Sequence, residues 1–186
     1  MLGRGTELAK EKIKNIQEKL DFLNLVQKEL LRSADLSDRD GEKEFPVPEK
    51  TCLILPYTGT QNCVNFYSMV NQLFTIAKQR KLKPGYELGL ILFCRQNERS
   101  QYIFMDVETN NKEVGPSQDL ITLPAASYRF LQTPESNIQK APDLFPDLFE
   151  KGYDKIVVEL EAFTEISDIS APKYELRCLL PSNDGL

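Results

Sequence analysis

Histidine is absent from the 186 residues. Its absence removes Ser-His-Asp and Cys-His catalysis, and with them most zinc sites. No apolar run approaches the roughly 18 residues that a membrane span requires. The first fifteen residues are charged and polar, with none of the apolar stretch of a secretion signal. Cysteines are few: Cys52, Cys63, Cys94 and Cys178, none in a Cys-x-x-Cys pair. Cys52, Cys94 and Cys178 stand in apolar segments, where cysteine acts as a small buried hydrophobe. No disulfide framework is indicated, so a reducing cytoplasm is expected. A basic surplus is also lacking: 28 acidic residues outnumber 23 basic ones, for a formal charge of −5. That balance disfavours nucleic-acid binding by these residues themselves. No metal or cofactor is called for.

The remaining composition is that of a folded chain, with 41% apolar and 27% charged residues. At this length about 70% of the unfolded surface can be buried, enough for a sizeable core.

The first 34 residues differ from the rest. Leu2, Ala9, Ile13, Ile16, Leu20, Leu23 and Leu30 follow spacings of 7, 4, 3, 4, 3 and 7, a heptad seam with Gln27 in one seat. Phe22, Leu25 and Val26 widen the stripe, and Glu and Lys fill most other positions. A lone helix of this length has little stability in water, so the stripe needs a partner. That partner is either the chain's own domain or a second copy of the chain. The narrow seam and the polar stretch that follows, with Pro46 and Pro48, favour a coiled coil. The expected organisation is a dimerisation helix over 1–34, a linker over 35–50, a ligand-binding domain over 51–181 and a tail over 182–186.

From Thr51 the pattern alternates between strand and helix. Strands are expected over Thr51–Tyr57, Glu87–Phe93 and Gln101–Thr109, with a helix over Val64–Lys81 stopped by Lys83-Pro84-Gly85. A long strand over Leu120–Gln132 opens a second series. It continues with Ser136–Lys151, which Pro142 and Pro146 limit to short helical turns, and with strands over Lys155–Phe163 and Lys173–Leu180. Strand-helix-strand-strand thus occurs twice. The expected fold is α+β: duplicated β-α-β-β units forming a curved antiparallel sheet with helices on one face, preceded by a long coiled-coil helix. The other face offers a natural ligand cleft.

Leu123-Pro124-Ala125-Ala126-Ser127-Tyr128 resembles the opening of the second repeat in gyrase-inhibitor-like effector domains, with Ala126 where that family has glycine. Ile54-Leu55-Pro56-Tyr57-Thr58-Gly59 stands where the first repeat has an apolar strand ending in a polar-Gly turn. Val158-Glu159-Leu160 with Tyr174-Glu175-Leu176-Arg177-Cys178-Leu179-Leu180-Pro181 is similar to the closing strands. With the preceding helix, the chain resembles the C-terminal part of MerR-family regulators, in particular multidrug-responsive members. The resemblance implies a homodimer through 1–34, a small lipophilic or cationic effector, and promoter DNA bound only through an N-terminal domain missing here.

Alternation in the penultimate strand suggests that Ile156, Val158, Leu160 and Ala162 face helices while Val157, Glu159, Glu161 and Phe163 face the cleft. A carboxylate in an apolar cleft is costly unless paired, and a cationic ligand is one such partner. In the family a buried glutamate on this strand, ringed by aromatics, holds a cation; the resemblance carries that role to Glu159, with Phe130 and Tyr174 as walls. Tyr128, which shares a face with Phe130, and Glu161 join them, and Tyr57, Tyr67, Tyr86 and Phe104 are further candidate lining. A solvated face is the competing reading for Glu159 and Glu161, and a core role for Tyr128 and Phe130. Glu175 either pairs with Arg177 or stays exposed. Binding without chemistry leads over two rivals: a small-molecule hydrolase using a glutamate base, and a stand-alone protein-binding module.

Overall fold

The computed structural model describes residues 6–17, 19, 20, 23, 27, 30, 43–58, 63–95, 98–108, 118–150, 154–162 and 173–181. The chain divides into two compact units, Met1–Asp40 and Gly41–Leu186.

In the first unit the described residues between 6 and 30 are helical and form α1. This stretch contains neither glycine nor proline, so propensity alone favours a helix. Leu8, Ile13, Ile16, Leu20, Leu23 and Leu30 are all exposed. Leu2, Phe22, Leu25 and Val26 of the expected stripe lie outside the described residues, as do 35–42 of the expected linker.

The second unit contains β1 (Lys43–Val47), β2 (Lys50–Pro56), α2 (Cys63–Gln79), β3 (Lys83–Arg95), β4 (Glu98–Glu108), β5 (Leu120–Leu123) and β6 (Ala126–Thr133). A 3-10 turn at Ile138–Lys140 and the short helices α3 (Ala141–Leu144) and α4 (Pro146–Phe149) lead to β7 (Lys155–Ala162) and β8 (Lys173–Leu179). All eight strands form one curled antiparallel sheet in the order β1-β6-β8-β7-β3-β4-β2-β5. The order reads the same outward from its centre. β3-β4-β2-β5 on one side of the β3/β7 seam corresponds to β7-β8-β6-β1 on the other, as expected of a duplication.

Two differences from the sequence reading complete that symmetry. The expected linker over 35–50 contributes strand β1, which pairs with β6 from Lys43↔Phe130 to Val47↔Ala126. As an edge strand it tolerates Pro46, whose missing N–H costs no ladder bond on its free side. The expected strand over Leu120–Gln132 is broken at Pro124-Ala125. Its first piece, β5, pairs with β2, and its second, β6, pairs with β8 and β1 at the opposite end of the sheet. Each half therefore lends a short leading strand to the other. The Tyr128 hydroxyl donates to the Pro124 carbonyl at 3.4 Å across this break, which gives the Leu-Pro-Ala-Ala-Ser-Tyr stretch a structural purpose.

The α2 stripe of Phe66, Met69, Val70, Leu73, Ile76 and Ala77 packs on one sheet face. Its stop comes before Lys83-Pro84-Gly85, which opens β3 instead. Lys81 takes a left-handed φ of 56° and the Leu82 N–H reaches back to the Ala77 carbonyl at 2.9 Å, a Schellman-type end closed by the buried Leu82. Pro142 and Pro146 each sit at the start of a one-turn helix, where proline is tolerated. Ile138, Ala141, Phe145 and Leu148 from these turns join Leu53, Leu92, Ile103, Met105, Val157, Leu176 and Cys178 in the main core. The opposite sheet face holds a second apolar cluster of Cys52, Ile54, Ile91, Phe104, Leu123, Val158 and Leu160, with Phe93, Tyr102, Ile121 and Ile156 at its margin.

The β3/β7 seam is tight at Gly89, opposite Leu160. A methyl group there would overlap the Glu159 carbonyl oxygen, which is backbone and cannot swing aside. Gly89→Ala is expected to lower stability by about 2–4 kcal/mol with the denaturant m-value unchanged, as read by urea unfolding. A loss under about 0.5 kcal/mol would mean the seam is looser than drawn.

Candidate functional site

Side-chain alternation, anchored by the two apolar clusters, assigns a face to the strand residues outside the irregular start of β3. Glu159 alternates with Val157 of the helix-covered core, whereas Val158 and Leu160 belong to the opposite cluster. The expected faces of β7 are thus reversed: Ile156, Val158 and Leu160 look away from the helices and Glu159 looks toward them. Its carboxylate accepts from the Ser136 hydroxyl at 2.5 Å and the Asn137 N–H at 2.7 Å, and the Ile138 N–H also reaches it. These backbone donors open the 3-10 turn, where amides have no partner within the turn itself. Burial raises the Glu159 pKa, and those hydrogen bonds oppose the rise.

The other sequence-derived positions divide between the two faces. Tyr57 is buried in the helix-side core against Phe66. Tyr67 lies exposed on α2. Tyr174 pairs across the β7–β8 ladder with Glu161, which is exposed. Tyr86 lies in the irregular part of β3, and its backbone N–H reaches Asp106. Phe104, Tyr128 and Phe130 share the opposite face, called the helix-free face because none of the described helices of the second unit covers it. The predicted constellation is therefore split, with Glu159 and Phe130 on opposite sides of the sheet. Phe163 lies outside the described residues.

Phe104, Tyr128 and Phe130 do have charged companions on the helix-free face, ones the pattern reading did not select. Arg177 of β8 donates through Nε to Glu175 Oε1 at 2.5 Å and through Nη1 to Glu87 Oε1 at 2.8 Å. Lys50 of β2 pairs with the same Glu87 oxygen at 2.6 Å. The guanidinium lies 5.3 Å from the Phe130 ring centre, and Phe45 of β1 meets that ring edge-on at 5.3 Å. Arg177, Glu175 and Glu87 are 3%, 1% and 7% exposed, so these charges lie out of water. The chain links β8 over β7 to β3, and then over β4 to β2, so it bridges the curl from one half of the duplication to the other. One signal in the sequence did point here: Glu175 and Arg177 alternate inside an apolar strand, where paired charges are far cheaper than solitary ones.

The electrostatics follow from this geometry. Burial pushes the Glu87 carboxyl up, but Arg177 and Lys50 outweigh it and hold the pKa at about 2. Burial alone lowers the Arg177 pKa, and Glu175 and Glu87 more than reverse this, so the guanidinium stays charged. Asp106 accepts the Glu87 N–H at 2.6 Å and lies where a side chain on Gly85 would have to go. Burial and the Glu87 charge lift the Asp106 carboxyl to about 6. Burial lifts the Tyr128 phenol to about 12, so it remains a neutral donor. Cys52 and Cys178 thiols are pushed up by burial as well, which makes them inert at neutral pH. Among the described residues no group of three or more His, Cys, Asp or Glu side chains could hold a metal ion, and no helix is long and apolar enough to cross a membrane.

No family model matches the chain, and no curated protein matches it by sequence. Similar solved structures do exist. EcmrR in its DNA complex is 8% identical, with a TM-score of 0.50 over 94% of this chain and 72% of that one. SAV2435 bound to tetraphenylphosphonium is 12% identical, with a TM-score of 0.43 over 76% of this chain and 94% of that one. The likeness to EcmrR is one of fold: the chain shares its overall architecture with that protein.

A carboxyl held low in the folded state stabilises the fold above its unfolded pKa and loses that contribution as pH falls toward its folded value. Glu87 places that loss between about 4.5 and about 2. Glu87→Gln is expected to flatten the acid limb of the stability–pH curve in this window by roughly 1–3 kcal/mol, measured by urea unfolding at each pH. An unchanged acid limb would show that Glu87 is not ion-paired in solution.

Proposed function

We propose that the chain is the ligand-sensing and dimerising region of a transcriptional regulator, binding a small lipophilic effector on the helix-free face of its sheet. One observation carries the reading. Helices cover one face of the curled sheet, while the other face gathers apolar and aromatic side chains around a buried set of specific polar groups. An apolar surface with a few placed polar groups is the usual make-up of a small-molecule site. The overall fold of EcmrR across 94% of the chain supports the reading by analogy. The proposed event is binding without turnover: Cys52 lies opposite Asp106 on this face, but burial and the Asp106 charge push its thiol up and leave it a poor nucleophile. The effector acts by favouring one arrangement of the dimer over another. Contact with promoter DNA belongs to a domain outside these residues, in keeping with the acidic balance of the chain.

The dimer interface in this proposal is α1, whose exposed Ile13, Ile16, Leu20, Leu23 and Leu30 follow a heptad spacing. Sedimentation of the full chain is expected to give twice its 21.3 kDa mass, and Ile16→Asp with Leu23→Asp is expected to give the monomer with the sheet still folded. A monomeric wild type would reject the helix as the interface.

The effector face has its own test. Phe93 and Tyr102 meet edge to face at 5.7 Å at the margin of the helix-free cluster. An uncharged solvatochromic dye such as Nile red is expected to bind saturably, and Phe93→Ala to weaken it by about tenfold, near the value of one aromatic contact. Phe74→Ala, at an exposed site on α2, is expected to leave binding unchanged. Equal effects from both variants, or no saturable binding, would reject the face.

A further inference from the structure

The surroundings of Arg177 are those of a receptor for an organic cation. A ring face lies 5.3 Å from the guanidinium, with a second ring propping the first edge-on. Two carboxylates take its N–H groups at 2.5 and 2.8 Å. An aromatic face and desolvated carboxylates are the groups that attract guanidinium and ammonium ions most strongly. The chain supplies the cation itself, from the middle of β8. Charges of the network are matched within the set, Lys50 and Arg177 against Glu87 and Glu175, and Asp106 on the same face is engaged by the backbone N–H groups of Glu87 and Tyr86. A ligand arriving with its own positive charge meets carboxylates already engaged and a resident cation that repels it. A ligand without charge gains the apolar contacts of Phe93, Tyr102, Ile121 and Ile156 and loses nothing to charge mismatch.

We propose that Arg177 is a tethered occupant of a cation-binding cage formed by Phe130, Glu175 and Glu87, and that it sets the selectivity of the helix-free face toward uncharged ligands. Removing the guanidinium leaves a vacant cage with an affinity for small planar organic cations that the natural protein does not have. Arg177 here is a specificity-determining residue. The selectivity half of the proposal rests on reading this face as the effector site, whereas the cage itself does not.

Phenylguanidinium and phenylurea form a suitable probe pair, matched in shape and differing in charge. Calorimetry and thermal melting of the full chain are compared for wild type, Arg177→Met, and Arg177→Met combined with Glu175→Gln. Wild type is expected to show no preference for the cation. Arg177→Met is expected to bind phenylguanidinium about tenfold or more tighter than phenylurea and to melt higher in its presence. The double variant restores the charge balance and is expected to lose most of that preference. A merely structural ion pair predicts lower stability for Arg177→Met with no preference between the probes. Such a result overturns the proposal, as does a wild type that already favours the cation tenfold.

If Arg177→Met does not fold alone, it is refolded with sub-denaturing phenylguanidinium or with the same concentration of phenylurea. Recovery with the cation only supports the cage, and recovery with neither or with both overturns it. The Nile red titration of wild type does not depend on the cage. A cage that binds phenylguanidinium in a protein that does not bind the dye leaves the cage standing and removes the effector reading. Dye binding with an inert cage does the reverse.

Discussion

The buried chain of charges from Lys50 through Glu87 to Arg177 and Glu175 is the constraint on which the second unit depends. Its members come from β2, β3 and β8, and none of those strands is adjacent to another in the sheet. Each ion pair between strands reaches across one intervening strand, β7 in one case and β4 in the other, so the network ties together strands that share no ladder. Moving charges out of water costs several kcal/mol per ion, and the mutual attraction offsets that only when geometry is good. Here each guanidinium bond points at a carboxylate oxygen, and Phe130 covers the flat face of the ion. Removing one partner would leave an uncompensated charge under an apolar surface, a state several kcal/mol higher. The network thus acts less as a source of stability than as a link that fixes β2, β3 and β8 relative to one another.

Duplication explains why the two faces differ so sharply. In the first half a 17-residue helix with a continuous apolar stripe covers the sheet. In the second half prolines divide the corresponding segment into a 3-10 turn and two one-turn helices, each with its own unsatisfied N-terminal amides. Glu159 meets that deficit. It projects from β7 into the helix-side core, where Ser136, Asn137 and Ile138 are its donors. A carboxylate that resembles a binding residue by position is here the acceptor that lets a broken helix pack against a sheet. With Glu159 committed to that task, the acidic groups left on the helix-free face are those of the Arg177 network and Asp106.

How much of this was legible in the sequence differs from element to element. The order of strands and helices was legible because alternation and turn residues are local, and so was the shortening of the second helix, because proline acts on its own neighbours. The break at Pro124 was harder to see. β-branched and aromatic residues run on both sides of it, and only the pairing of Leu120–Leu123 with β2 shows that the chain changes sheet ends there. The faces of β7 were read in reverse because alternation separates two sets of residues without saying which one meets the helices. Ile156, Val158 and Leu160 are the more apolar set, and both faces of this sheet are buried, so polarity was a poor guide. Glu175 was expected either to pair with Arg177 or to stay exposed, and it is the buried pair that forms. Their partner Glu87 lies ninety residues earlier in the chain, and nothing local connects the two.

On the function proposed above, the same arrangement bears on where an effector would act on the sheet. A matched set of buried charges has few alternative geometries, because any shift of β8 relative to β3 stretches the 2.8 Å bond from Arg177 to Glu87 in a medium where charge separation is expensive. The curl is therefore stiff along the line from β2 to β8, and softer where apolar packing alone holds it, at the margin formed by Phe93, Tyr102, Ile121 and Ile156. Apolar packing tolerates rearrangement at modest cost, since dispersion attraction given up on one side is recovered on another. A ligand settling at that margin would act on the compliant part of the sheet and leave the ionic spine in place. The first and last strands in sheet order, β1 and β5, each belong to the half opposite the one they pair with. A displacement at either edge is consequently shared by both halves. Coupling of this kind needs no long pathway, only a sheet whose two ends are exchanged between its repeats and whose middle does not give.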